Sequence, residues 1–180
     1  MALQTAIRHP ERVNKLVLIS TPFKRTGWHP EMQTGMASLN PEFFVGTPPH
    51  DAYMSVAPKP EDFHRFVAKM KDAMSQDYDW TERVSALRTP ILIIAGDADG
   101  LPPSHAVEFF TLLGGGLKDA GWNGERLISS QLAILPGATH YNIVFRADLL
   151  LPGLILPDKN CILELYASQR NMSQHQASPS

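Results

Sequence analysis

The chain has 180 residues, 43% hydrophobic and 19% charged, with a formal net charge of −2, which suits a globular protein with one real core. With 16 Lys and Arg against 18 Asp and Glu and no basic stripe, nucleic acid is not an expected partner. No apolar run reaches the roughly 18 residues that cross a bilayer, and the first residues lack the basic-then-apolar layout of a leader, so a cytoplasmic protein that avoids the membrane is expected. The single cysteine, Cys161, rules out an internal disulfide and a thiolate metal cluster; it reads as an inert thiol.

In chain order, residues 2–8 read as a helix of good helix formers with no capping residue before it. Pro10 disfavours helical backbone at His9 and ends it. Residues 15–20, Lys-Leu-Val-Leu-Ile-Ser, are apolar without alternation, as in a parallel strand buried on both faces. Residues 22–88 change character, with several prolines and two of the four tyrosines. Phe63, Phe66, Val67, Met70 and Met74 recur at helical spacing and predict a helix over 61–75. A short helix is expected over 80–87 and a loop around 46–50.

Residues 90–95 form the clearest strand, followed by a turn-rich loop. Ser104 is the expected N-cap of a helix through Leu113, ended by Gly114, Gly115 and Gly116. Residues 117–130 are a polar connector, 131–135 a third strand, 136–141 a loop and 142–151 a short apolar helix. Residues 160–166 read as helix or strand, and the Ser- and Gln-rich end as disordered. Strands alternating with helices predict an α/β architecture with a parallel sheet. In such sheets chemistry gathers beyond the carboxyl ends of the strands.

Two of those loops hold candidate residues. Asp97 and Asp99 follow the second strand, and His140 follows the third. On parallel neighbouring strands Asp99 and His140 emerge on one rim. There a carboxylate can fix the tautomer of an imidazole and stabilise its charged form during acyl transfer. The residues alone leave another reading open, because an Asp in Gly-Asp-Ala-Asp-Gly is often only a turn former and a lone His after a strand is often structural.

Ile-Leu-Ile-Ile-Ala-Gly-Asp-Ala-Asp-Gly-Leu-Pro-Pro (91–103) and Leu-Pro-Gly-Ala-Thr-His-Tyr (135–141) resemble the last third of α/β-hydrolase-fold enzymes. Gly96 and Asp99, with Pro102 and Pro103 beyond, match the family's acid loop; Gly137 and His140 match its histidine loop. Residues 2–13 and the following Leu-Val-Leu-Ile-Ser-Thr-Pro are similar to the helix after the nucleophile elbow and the next strand. The resemblance covers about residues 2–150. It implies a partial α/β-hydrolase fold of about three parallel strands with flanking helices: core at 1–21 and 89–157, a helical cap insertion at 22–88, and an irregular, partly disordered tail at 158–180. It implies Asp99 and His140 as catalytic residues, His140 as general base and Asp97 as a turn or supporting residue.

The same resemblance implies a serine in Gly-x-Ser-x-Gly just before the opening helix, about half a dozen residues ahead of Met1. No serine of the chain has that context. Ser20 follows a strand, but Thr21 and Pro22 stand where a glycine and a helix start belong. The expectation is a serine-type, carboxylic-ester hydrolase in a longer form, acting on a small ester-like substrate without cofactor or metal, and truncated here to near-background activity. Two alternatives stay open. One is an interaction protein using the sheet edge and Phe43, Phe44, Tyr53 and Trp80, which otherwise read as cap core. The other is one half of a two-chain enzyme, through self-association or a complementing chain.

Overall fold

The structure is a computed structural model that describes residues 1–153 and 162–164. Four parallel strands make one sheet in the order β3-β2-β1-β4: β1 (Leu16–Ile19), β2 (Ile91–Gly96), β3 (Gln131–Leu135) and β4 (Ile162–Glu164). Leu16 pairs with Ile91 and Ile19 with Ile94, while Leu92 pairs with Gln131 and Gly96 with Leu135. The three expected strands are thus present in parallel. A fourth comes from the segment that read as helix or strand, pairing Leu16 with Ile162. The remaining expectations for the tail at 158–180 lie outside the described residues.

The unbroken apolar runs of β1 and β2 follow from burial on both faces. Side chains alternate across a strand, so Leu16, Leu18, Ile91, Ile93 and Ala95 point to one side. They pack there with Leu3 and Ala6 of α1 (Ala2–Arg8), Val84 of α5 (Thr81–Ser85), and Ala106 and Phe109 of α6 (Pro103–Leu112). Val17, Leu92 and Ile94 point to the other side, against Leu135, Ala138, Ile143 and Leu150. A polar residue on either face of β2 would meet a dry core. Residues 142–151 form a 3₁₀ turn (Ile143–Phe145) and then α7 (Ala147–Gly153), rather than one helix.

The chain divides into two compact units: Met1–Met32 with Asp77–Leu165, and one whose described part is Gln33–Gln76. The second is narrower than the expected insertion at 22–88, because 22–32 and 77–88 fold with the sheet. Helix α2 (Pro30–Ala37) spans the boundary, and α3 (Pro48–Val56) and α4 (Phe63–Ser75) belong to the second unit. Buried Phe63 and Val67 lie on the expected stripe of α4, whereas Phe66 is 43% exposed. Phe44, His50 and Tyr53 each set a ring edge-on to Phe63. Phe44 and Tyr53 therefore belong to a small aromatic core, while Phe43 is exposed.

The loop expected around 46–50 is corrected: helix α3 already begins at Pro48. Proline suits the first helical position, where its missing N–H and fixed φ carry no penalty. The same chemistry corrects the expected cap of α6, which starts at Pro103 with Pro102 in the cap position and Ser104 inside the helix.

Candidate active site

The acid loop and the histidine loop leave the adjacent strands β2 and β3 at the same end of the sheet. Backbone bonds tie them together: Asp97 N–H donates to Leu135 O and Ala98 N–H to Ala138 O, both at 3.1 Å. Asp97 adds a side-chain clasp, its Oδ1 accepting from Gly137 N–H at 2.8 Å. This gives the lesser of the two expected acids a definite task, since it holds the histidine loop against the acid loop. Gly96 permits the close approach; a Cβ there would lie 2.0 Å from Ala138 O. Gly137 supplies the turn with φ at +64°, a conformation that side chains disfavour.

Asp99 and His140, 41 residues apart in sequence, meet in this frame: His140 Nδ1 lies 2.9 Å from Asp99 Oδ1. The Asp99 side chain is fully buried, and the imidazole is 29% exposed. Burial pushes the Asp99 carboxyl up, but hydrogen bonds from His140 and Ser20, the imidazole's charge and Gly96 N–H outweigh it and hold the group below the usual carboxylate range. An ionised carboxylate only accepts hydrogen bonds. The Nδ1 proton therefore belongs to the histidine, and Nε2 carries the basic lone pair at the more open end of the pair. Leu101 N–H gives Oδ1 a second donor at 3.3 Å. The histidine loop is braced in turn by Thr139 N–H donating to Asn142 Oδ1 at 2.7 Å.

Trp28 sets its ring edge-on to His140, with centroids 5.1 Å apart, and is held by a side-chain hydrogen bond with Tyr78. Tyr141 donates its hydroxyl to the Met32 sulfur at 3.7 Å. Neither Trp28 nor Ser20 was singled out as a site residue from the sequence. Ser20, set aside there as a nucleophile, has its hydroxyl hydrogen-bonded to Asp99 Oδ2. That is the carboxylate side of the pair, away from Nε2, so Ser20 is not placed to yield its proton to His140.

A second histidine was also missed. His105 of α6 is 4% exposed, stacks on Phe23 with centroids 4.4 Å apart, and accepts the Phe23 N–H on Nε2 at 3.3 Å. Burial pushes it down to about 4, with Glu108's charge opposing and Lys24's charge adding. His105, Ala106 and Phe109 are all buried at i, i+1 and i+4, so helical periodicity alone could have put this histidine on the core face.

No family model matches the chain, and no curated protein matches it. Solved structures do. E-2-(acetamidomethylene)succinate hydrolase is similar with a TM-score of 0.50 at 17% identity, over 84% of this chain and 59% of that one. A meta-cleavage product hydrolase from Pseudomonas fluorescens gives 0.49 at 19%, over 84% and 58%. The 2-hydroxy-6-oxo-6-phenylhexa-2,4-dienoate hydrolase from Rhodococcus sp. gives 0.47 at 16%, over 84% and 57%. The chain spans less than two thirds of the length of each. The parallel sheet with its flanking helices has an α/β-hydrolase fold, of which this chain spans a part. Among the described residues no helix is long and apolar enough to cross a membrane.

Proposed function

We propose that the chain carries the acid and the base of a hydrolase that works by acyl transfer on a small ester-like substrate. The carrying observation is the buried Asp99 bonded to Nδ1 of a partly exposed His140 at 2.9 Å. This arrangement leaves Nε2 ready to take a proton from a nucleophile and return it to a leaving group. Asp99 fixes the tautomer and stabilises the imidazolium that forms. Asp97 keeps the two loops in register.

The nucleophile, on this reading, is a serine supplied by chain outside these 180 residues, either in a longer form of the protein or on a complementing chain. Ser20 cannot serve, because its proton is committed to Asp99. Without a nucleophile a Ser-His-Asp enzyme loses several orders of magnitude in rate, so near-background activity is expected of the chain alone.

The test is hydrolysis of p-nitrophenyl acetate, first by this chain and then by a form extended upstream through a Gly-x-Ser-x-Gly turn. The extended form should hydrolyse the ester, and His140→Ala should abolish that activity. An ordinary enzymatic rate from the 180 residues alone, lost in His140→Ala, would overturn the outside nucleophile. An extended enzyme indifferent to His140→Ala would overturn the assignment of the base.

A further inference from the structure

Ser20 stands directly after β1 and is 9% exposed. Among the described residues it is the non-glycine residue with positive φ, at 48°. Left-handed backbone crowds the Cβ of an L-residue, and glycine would occupy it with less strain. The conformation has a visible use. Ser20 N–H still donates to Ile94 O at 2.8 Å, completing the β1–β2 ladder, while the hydroxyl, across 79 residues of sequence, donates to Asp99 Oδ2.

The carboxylate is thereby held at both ends. Oδ1 accepts from His140 Nδ1 at 2.9 Å and from Leu101 N–H at 3.3 Å. Oδ2 accepts from Gly96 N–H at 3.4 Å and from Ser20. The backbone bonds are long, so the Ser20 hydroxyl is the strong donor on the oxygen that His140 does not use. A carboxylate held at one oxygen can rotate about its Cβ–Cγ bond; held at both, it presents Oδ1 to the imidazole in one orientation.

We propose that Ser20 is a positioning residue for the Asp99–His140 pair, its hydroxyl fixing the rotation of the Asp99 carboxylate and so the direction of the Nδ1 hydrogen bond. The proposal rests on His140 being the general base, and it gives a use to a serine at a position where glycine would be less strained. Charge-assisted donation from Ser20 also favours the ionised carboxylate; His140 is the titratable group beside it.

The experiment is side-chain NMR on the full 180-residue chain, comparing Ser20→Ala and Ser20→Gly with the unsubstituted protein. The carbon-detected titration of the Asp99 carboxyl and the protection of the His140 Nδ1 proton from solvent exchange are followed together. The glycine variant accepts the backbone conformation, so it keeps the fold testable even if the alanine variant does not fold. The Asp99 titration should move up by roughly half a pH unit or more, and the Nδ1 proton should lose protection. If either folded variant leaves both signals where they were, Ser20 is a structural residue and the proposal fails. These readouts need no turnover. A shifted titration, together with a form extended through a Gly-x-Ser-x-Gly turn that fails to hydrolyse p-nitrophenyl acetate, would keep Ser20's role and retire the hydrolase reading. An unchanged titration beside hydrolysis that depends on His140 would do the reverse.

Discussion

His105 should make this protein acid-sensitive well above the pH at which carboxylates titrate. It is buried against Phe23, and its Nε2 accepts the Phe23 N–H. A proton on Nε2 would set a donor against a donor and bury a charge. Its folded value of about 4 lies below the 6.5 of a free histidine. Between those values the unfolded chain binds more protons than the folded one, so stability falls as pH drops below 6.5 and the loss is complete near pH 4. The whole titration corresponds to roughly 3 kcal/mol, and the step from pH 7.5 to pH 5 to about 2 kcal/mol. His105→Gln keeps an acceptor for the Phe23 N–H but does not titrate. Urea unfolding at both pH values, followed by tryptophan fluorescence, should show the unsubstituted chain losing about 2 kcal/mol more than His105→Gln. Other ionisable groups largely cancel in that comparison. Equal losses in the two proteins would refute the buried neutral histidine.

Three further outcomes are expected. Gly96→Ala drives a Cβ to 2.0 Å from the Ala138 carbonyl, and should cost about 3 kcal/mol, seen as a drop in Tm of roughly 6–12 °C. Asp97→Ala removes the acceptor of Gly137 N–H and should cost about 1 kcal/mol in urea unfolding, whereas Asp97→Asn, which keeps an oxygen there, should sit near the unsubstituted chain. Asp99→Asn should destabilise by roughly 1–3 kcal/mol at neutral pH. Because the folded Asp99 carboxyl lies below its usual range, that difference should hold steady above about pH 5 and shrink as pH falls below about 4; a difference that grew with acid would contradict the ionised carboxylate.

What the sequence disclosed follows from the range of the forces involved. Strands β1 and β2 were legible because burial on both faces requires runs without polar interruption, whereas β3, at the sheet edge with Gln131 and Ile134 exposed, was legible through its short Leu-Ala-Ile-Leu run. Asp99 and His140 were legible through the order of weak motifs; spacing alone left a turn former and a structural histidine open. Both Pro-Pro pairs misled the reading of helix starts, since proline marks a loop and a first helical residue alike and only the following backbone decides. Ser20 lacks the sequence context of a nucleophile elbow, and its bond to Asp99 depends on the β1–β2 register and on one positive φ, neither of which local sequence encodes. The aromatic cluster around Phe63 was partly legible: the stripe on α4 was periodic, but the edges supplied by Phe44, His50 and Tyr53 come from other elements.

The stretch between α6 and β3 is a place where the chain can be reopened. It exposes Leu117, Trp122 and Leu127, while the β2–β3 register is set elsewhere, by the strand ladder and by the Asp97 and Ala98 bonds at the opposite end of β3. Loop-closure entropy rises only with the logarithm of length, about 0.6 kcal/mol for each doubling. A reporter domain inserted between Trp122 and Asn123 would leave the acid and histidine loops clasped to each other.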